Sequence, residues 1–296
     1  MLRGHEPVPA GAASVSIGLD RVSVPMEEPA SEDPDPSKRV KKRKKPYERK
    51  EPAPIEVNYR MAYVGTVSVL DEDCQQLRAL RYFASAGQGP ANIVHSMVRD
   101  LKHLRSQREE LPLGIVQDGA PEMWRLLREG LGKQHIQPEV QLIDRYHLSE
   151  HLGNALRATG HTAEWCKEKL AEWNLQLDAD DSAIDSVEAW LKTACHTATG
   201  RNRSDLLEEL VYLKNNKDRM RYAKAISAGL PIGSGATEGA CKSIVKMRAC
   251  RSGQRWHTEG LDNVLTLRAL SQSDRLPGAI QQLRQQKYLQ LVQAAA

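Results

Sequence analysis

The sequence predicts an α/β protein in which a mixed β-sheet is followed by a long helical region. Two apolar segments, residues 59–70 and 77–84, flank a short acidic turn, which is typical of an antiparallel hairpin. A strand ending on Asp118, an amphipathic helix and a strand from Val140 that ends on Asp144 follow one another closely, which indicates a parallel crossover. From residue 148 to 228 the apolar spacing is almost wholly helical.

Other elements have local signals of their own. Residues 13–24 alternate like a strand, and no periodicity is left between Pro25 and Pro54. Apolar residues at helical spacing predict a helix from Pro90 to Gln107, and Pro121 suits the first turn of the next helix. In the helical region, the tryptophans are expected to be core anchors, namely Trp165, Trp173 and Trp190.

Composition narrows the class of protein. The chain has 296 residues and a net charge of only +4, and this charge is unevenly distributed. Its five cysteines show no CxxC spacing, which is typical of a reduced intracellular protein. No apolar run is long enough to span a membrane, and Arg3 and Glu6 argue against a signal peptide. We therefore expect a soluble cytoplasmic protein.

A dense basic segment lies between the first two predicted strands. Nine of the thirteen residues from Lys38 to Lys50 are Lys or Arg. Such like charges repel one another and predict a loop. One interpretation is that the segment only aids solubility or localisation. The other is nonspecific nucleic-acid binding, because clustered cations displace counterions from phosphates. The central candidates are Lys41, Lys42, Arg43 and Lys44.

Acidic residues follow the apolar strands. Asp20 comes after the alternating apolar residues of the first strand, and Asp118 and Asp144 each end a strand of the predicted crossover. The two parallel strands of the crossover deliver Asp118 and Asp144 to one edge of the sheet, where α/β proteins place their sites. Each of these acids by itself is more often a turn or helix-capping residue. The delivery of both to one edge favours a shared site.

Another acid begins a helix that carries a basic stripe. Glu238 follows a Gly/Ser turn, and Lys242 and Lys246 come four and eight residues later, which places all three on one helical face. The opposite face is predicted to carry Ile244, Val245 and Met247. A surface helix with Glu–Lys pairs is the alternative to a metal site beside a phosphate backbone. Further cations extend the basic surface, at Arg248, Arg251 and Arg255.

Four segments together carry a resemblance to a known family. In chain order they are LDRVSVPMEE from Leu19, VQDGAPEMW from Val116, DRYH from Asp144, and GSGATE from Gly233 with the helix that follows. They resemble the transposases of bacterial insertion sequences of the ISKra group, DDE enzymes that are related to the Mutator-like transposases of eukaryotes. The resemblance runs from about residue 13 to about 270, and its most specific part is the segment from Glu238 to Trp256.

The resemblance implies a ribonuclease H-like fold with a mixed sheet. It also implies a large all-helical insertion between the fifth strand and the helix that carries the catalytic glutamate. Asp20, Asp118 and Glu238 would be the catalytic residues and the metal ligands, with Mg²⁺ bound and Mn²⁺ able to replace it. Asp144 and His147 match a further mark of the group and are expected to support the site. For Asp144 the alternative is a simple helix N-cap.

An activity and an organisation follow from the same resemblance. We expect metal-dependent DNA strand cleavage and strand transfer, with transposon ends and target DNA as partners and a homo-oligomer assembled on DNA in the bacterial nucleoid. The expected parts are 1–150 for the first part of the catalytic domain with a basic loop at 25–54, 151–230 for the helical insertion, 231–270 for the helix of the catalytic glutamate, and 271–296 for a C-terminal helix.

One departure from the family pattern leaves a second hypothesis open. Members of the group generally carry a sizeable region ahead of the first catalytic strand, whereas Asp20 lies close to the start of this sequence. We therefore expect an N-terminally truncated reading frame. The alternative function is a non-enzymatic DNA-binding remnant that inhibits transposition. Retention of all three acids favours the enzyme, because a pure binding role does not require them.

Overall fold

The computed structural model describes residues 7–29 and 55–295. In this part of the chain, five strands form one mixed sheet in the order β3-β2-β1-β4-β5. β1 pairs antiparallel with β2, and β2 with β3, whereas β1, β4 and β5 run parallel. The predicted α/β class, the hairpin and the parallel pair are confirmed. The strands are β1 Ser14–Pro29, β2 Ile55–Leu70, β3 Gln76–Ala84, β4 Leu113–Gln117 and β5 Val140–Ile143.

Helices flank the sheet and fill the second half of the chain. The first two are α1 Pro90–Gln107, as predicted, and α2 Pro121–Gly132. Between β5 and residue 228 lie α3 Arg145–Ala158, α4 Ala163–Ala179, α5 Ala183–Thr197, α6 Gly200–Asn216, a 3₁₀ turn Lys217–Arg219 and α7 Tyr222–Ser227. The last are α8 Gly235–Ala240, a π-helical turn Cys241–Lys246, α9 Met247–Ala249, α10 Thr258–Ser271 and α11 Leu276–Ala295.

The first two strands are longer than the sequence predicted. They pair along their whole length, from Ser14 opposite Leu70 to Pro29 opposite Ile55, so the loss of pattern at Pro25 was wrongly interpreted as the start of a loop. Inward alternation in fact continues through the buried Met26. The parallel pairing of β1 with β4 covers only Val15 to Ile17. Pro25 lies beyond this pairing, so its missing N–H removes no hydrogen bond to β4.

Two apolar clusters hold the sheet in place. On one face, the predicted inner side of α1 packs against the strands; its buried residues include Ile93, Val94, Met97, Val98, Leu101 and Leu104. On the other face, the distal half of the β1–β2 hairpin packs against α8, the π-helical turn and α10. That cluster includes Val22, Val24, Val64, Ile244, Val245 and Leu265. The second cluster fixes the Glu238 helix against β1.

The helices from α3 to α7 share the first apolar cluster with the sheet. Trp173 is buried, and its ring meets Trp190 edge-on at 5.0 Å, while Trp190 stacks on Trp165 at 6.2 Å. The prediction of a core anchor is confirmed for Trp173, whereas Trp165 and Trp190 are half-buried and pack against the cluster. Among the described residues, no helix combines the length and the apolar character that a membrane span needs.

Candidate active site

One small cavity contains the acids that the sequence singled out. Its volume is about 170 Å³, and it lies where β1, β4 and β5 meet the start of α8. The residues that line it are Leu19, Asp20, Gln117, Asp118, Asp144, His147, Ser234, Thr237 and Glu238. The structure therefore brings Asp20, Asp118 and Glu238 to one cavity, together with the predicted supporting pair Asp144 and His147.

Strand register explains why three aspartates share this edge. Ile17 pairs with Ile115 in the parallel β1–β4 ladder, and Asp20 and Asp118 each follow three residues later. Gln117 pairs with Ile143 in the β4–β5 ladder, and Asp118 and Asp144 are the next residues. The carboxylates therefore form a row across the sheet. Asp20 lies within β1, three residues beyond the last residue that pairs with β4, as the predicted strand over residues 13–24 implies.

Asp20 is held by two donors. Its Oδ1 accepts a hydrogen bond of 2.6 Å from the backbone N–H of Arg21, and its Oδ2 accepts one of 3.3 Å from the thiol of Cys241. Partial burial raises the pKa of Asp20 most strongly, and both hydrogen bonds oppose this shift. The nearby carboxylate of Asp118 also raises this pKa, while Lys246 lowers it. The carboxylate therefore occupies a site that favours an added positive charge.

Asp118 sits in a tight turn between β4 and α2. Its Oδ1 accepts from the backbone N–H of Ala120 at 3.0 Å, and its carbonyl accepts from the Trp124 indole at 2.7 Å. The next residue must be small, because a Cβ at Gly119 would lie 2.9 Å from the Tyr212 ring. This packing explains the Asp-Gly pair in physical terms and fixes the backbone of Asp118.

Glu238 reaches the cavity because the preceding threonine is buried against the sheet. Thr237 Oγ1 is hydrogen-bonded to Thr66 Oγ1 at 2.7 Å, and a Cβ at Gly18 would collide with Thr237. The exposed Glu238 side chain accepts a hydrogen bond of 2.7 Å from the Ser234 hydroxyl, one turn earlier. Gly18 on β1 therefore permits the close approach that brings the glutamate near Asp20.

Asp144 links two backbone segments. It is buried; its Oδ1 accepts from the backbone N–H of His147 at 2.8 Å, and its Oδ2 accepts from the backbone N–H of Ser234. The first bond is the helix N-cap that the sequence left as an alternative. The second ties the turn before Glu238 to the end of β5. Both carboxylate oxygens are thus occupied by the protein itself.

The His147 imidazole does not bond to Asp144 and faces an aromatic cluster. Its side chain is 41% exposed, and its ring meets those of His151 and Tyr212 edge-on, at 5.0 and 6.2 Å. His151 stacks on Tyr212 at 3.6 Å and bonds to Glu209 through Nδ1 at 2.6 Å. Burial, together with Asp118 and other nearby acids, raises the pKa of Tyr212. Its hydroxyl therefore stays protonated at neutral pH.

Four of the residues that line the cavity are carboxylates, namely Asp20, Asp118, Asp144 and Glu238, and oxygen donors of this kind suit a hard divalent cation. Within residues 7–29 and 55–295, however, no three His, Cys, Asp or Glu side chains stand in an arrangement that could hold a metal ion. Asp118 and Glu238 each direct one carboxylate oxygen to a donor of their own segment, the Ala120 N–H and the Ser234 hydroxyl.

The predicted basic residues after Glu238 are exposed, namely Lys242, Lys246, Arg248, Arg251 and Arg255. They do not form a regular stripe, because the backbone widens into the π-helical turn at Cys241. The same change leaves Met247 49% exposed, so its predicted place on the inner face was wrong, whereas Ile244 and Val245 are buried. The other predicted DNA-binding residues, Lys41, Lys42, Arg43 and Lys44, lie outside the described residues.

Sequence reasoning missed several residues that build the site. Ser234 and Thr237 were noted only as part of a Gly/Ser turn, and Cys241 was noted only in the cysteine count. Tyr212, on α6, carries no local signal, since its approach to Gly119 depends on how the helices fold back. Gly18, inside a strand, was the one available signal, because a strand glycine often marks a close backbone approach.

Comparison with known proteins gives a weak structural similarity. No protein-family model matches the chain, and no curated protein matches it. Among solved structures, the chain is similar to the Mos1 transposase in its paired-end complex with the left transposon end, at 12% identity and a TM-score of 0.22. The match covers 73% of this chain and 56% of the Mos1 chain, so this chain spans about half the length of that protein.

Proposed function

We propose that the chain is the catalytic core of a DDE-type DNA transposase, which cleaves DNA strands and joins them to a target for an insertion sequence. The observation that carries the proposal is that Asp20, Asp118 and Glu238, which come from three separate elements, line one cavity of about 170 Å³. They occur in the chain order that the ISKra resemblance requires. If these acids only capped helices or turns, there would be no reason for all three to line the same cavity.

We also assign the sheet to the ribonuclease H-like class. Three antiparallel strands are followed by two parallel ones, and the acids lie on β1, after β4 and on α8. In this interpretation the helices from α3 to α7 are the insertion that separates the second aspartate from the glutamate. They would carry surfaces for transposon ends or for a second copy of the chain.

The proposed cofactor is Mg²⁺, which Asp20, Asp118 and Glu238 would hold. When bound, such ions activate the attacking oxygen and stabilise the leaving oxygen of the phosphodiester. The protein contributes the fixed frame. Asp20 is held by Arg21 and Cys241, and Asp144 anchors the turn that carries Glu238.

Cations beyond the acids are suited to the DNA backbone. Lys242 and Lys246 are exposed on the turns that follow Glu238, and Lys246 is close enough to lower the pKa of Asp20. Lysine binds phosphate as a point charge and adds affinity without reading sequence. We propose that Lys246 faces the phosphate nearest the site and that Arg251 and Arg255 extend the contact.

A second candidate function is a DNA-binding remnant without catalysis. The observation that favours it is the absence, among the described residues, of a side-chain group already arranged to hold metal. Such a protein would bind transposon DNA, or intact transposase, and reduce transposition. It requires neither Asp20 nor divalent cations for its effect.

Cleavage and strand transfer with DNA that contains the ends of the element separate the two functions. The enzyme is expected to nick end DNA and join it to a plasmid only with Mg²⁺ or Mn²⁺, and Asp20→Asn is expected to abolish both steps while DNA binding persists. Asp205→Asn, the same change at an exposed residue of α6, is the matched control. Tight DNA binding without any product in either metal would establish the remnant.

A further inference from the structure

The buried thiol of Cys241 contacts the carboxylate of Asp20. Cys241 begins the π-helical turn and is 1% exposed, and its Sγ lies 3.3 Å from Asp20 Oδ2. The contact joins residues 221 positions apart in the sequence, so it depends on how the Glu238 helix docks on β1. Cys74, Cys166, Cys195 and Cys250 instead have backbone carbonyl contacts or no hydrogen bond among the described residues.

The chemistry at this contact requires a protonated thiol. A thiol donates a weak hydrogen bond, whereas a thiolate would repel the carboxylate. The Sγ–Oδ2 distance of 3.3 Å therefore places the Cys241 thiol as the donor and the Asp20 carboxylate as the acceptor.

The π-helical turn holds Cys241 between the apolar cluster and Asp20. Wide turns of this kind, with hydrogen bonds five residues apart, are frequent at functional sites. Cys241, Ile244 and Val245 are all buried in the apolar cluster under the sheet, whereas Lys246, five residues after Cys241, is exposed. The same turn therefore carries the thiol that contacts Asp20 and an exposed cation.

We propose that Cys241 is a positioning residue, whose thiol holds the Asp20 carboxylate in the orientation that binds a divalent cation. The inference rests on the proposed function for the role of Asp20. One carboxylate oxygen is held by the Arg21 amide and the other by Cys241, so removal of the thiol frees rotation of the group. Partners of this kind around metal ligands are worth roughly 10–100-fold in metal affinity.

The test measures Mg²⁺ and Mn²⁺ affinity by titration calorimetry on the full chain without DNA. Cys241→Ala is expected to weaken binding by roughly 10-fold. Cys241→Ser keeps a donor and is expected to restore affinity to within about threefold of the parent, because a hydroxyl donates as a thiol does. Cys195→Ala removes a buried thiol on α5 and is the matched control; it is expected to leave affinity unchanged while lowering Tm comparably.

Each outcome decides between the inference and the function on which it rests. Unchanged affinity in Cys241→Ala, in a parent that binds metal through Asp20, overturns the positioning role alone. Metal binding that weakens in Cys241→Ala and returns in Cys241→Ser supports the positioning role. A parent that binds metal in this way but never joins DNA strands overturns only the transposase function. A parent that binds neither cation overturns both.

Discussion

Thr237 Oγ1 lies 2.7 Å from Thr66 Oγ1, a buried contact between the start of the Glu238 helix and the second strand of the sheet. Through this contact the sheet determines where the glutamate stands. Gly18 completes the arrangement, because the strand has no Cβ at the place where Thr237 packs. The relative positions of Asp20 and Glu238 therefore depend on one glycine, Gly18, and on the hydroxyl pair of Thr66 and Thr237.

Gly18→Ala is expected to push Thr237 off the sheet. The added methyl group would overlap the Thr237 side chain and approach Val116 O at 2.8 Å, and overpacking of this kind costs about 1–3 kcal/mol. We expect Gly18→Ala to have a lower free energy of unfolding in urea than the parent. We also expect it to bind Mg²⁺ more weakly than the parent. Gly132→Ala, at a helical glycine whose Cβ would meet nothing within 4 Å, is the control and should not destabilise. Equal stability of the two variants would contradict the packing argument.

The sequence predicted the order of the elements and the acids that line the cavity, for identifiable physical reasons. Alternation and helical spacing located the strands and α1, and acids at strand ends marked the edge of the sheet. Contacts such as Cys241 with Asp20, and Ser234 with Asp144, were not predictable, because both join segments that are distant in sequence. The π-helical turn also has no compositional signal, and it explains why Met247 was misplaced.

The sequence also predicted β1 and β2 too short, because contacts between distant segments stabilise their ends. Pro25 and the acids after it interrupt the local pattern, yet the pairing of β1 with β2 continues to Pro29. Arg60 on β2 forms a hydrogen-bonded ion pair with Glu28 on β1, and the Glu27 N–H donates to Trp256 O at 2.8 Å. These contacts stabilise the end of the hairpin in a way that propensity alone does not indicate.

The basic segment gives a prediction that concerns affinity alone. Changing Lys41, Lys42, Arg43 and Lys44 to glutamine is expected to weaken binding to specific and random DNA about equally. The slope of log affinity against log salt should become shallower by close to one for each phosphate that the protein no longer neutralises. Filter binding across a salt series would measure this slope. A slope that stays at the parent value would place the segment away from DNA.

Glu188 gives a prediction about acid stability. It accepts hydrogen bonds from Lys192 and Lys217, which lower its pKa to about 2 from an ordinary value near 4.5. Because the folded-state pKa is the lower one, the stabilisation is complete above pH 4.5 and is lost as pH falls toward 2. Glu188→Gln is expected to lower the free energy of unfolding at pH 7 by about 1.5–3 kcal/mol.

The check is urea unfolding of both proteins at several pH values. The difference between parent and Glu188→Gln should shrink steadily from pH 4.5 toward pH 2, since protonated Glu188 no longer attracts the lysines. Glu172→Gln is a suitable control, as its lysine partner lies on the same exposed helix face and such pairs contribute little. A constant difference across this range would mean that Glu188 stabilises the fold by packing and not by charge.

Substitutions at Asp144 and at His147 are expected to affect different properties, the stability of the fold and the rate of cleavage. Asp144→Asn keeps one acceptor oxygen and replaces the other with an NH2 group, so one of the two backbone N–H groups, of His147 or Ser234, loses its partner. We expect this change to destabilise the fold by about 1–3 kcal/mol. His147→Ala keeps both of these bonds, because the N-cap uses the backbone of residue 147. We therefore expect little loss of stability from His147→Ala, and we expect slower strand cleavage, since the imidazole lines the cavity.

The Mg²⁺ dependence of cleavage distinguishes support of the site from metal binding. If His147 orients DNA or the helices around the cavity, His147→Ala lowers the maximal rate and leaves the Mg²⁺ concentration for half-maximal cleavage unchanged. His151→Ala, which removes the neighbouring ring and its bond to Glu209, serves as the comparison for a general disturbance of the aromatic cluster. A large rise in the Mg²⁺ requirement in His147→Ala alone would place the imidazole among the metal ligands. Imidazole is a poor ligand for Mg²⁺, so the expected result is a change in rate only.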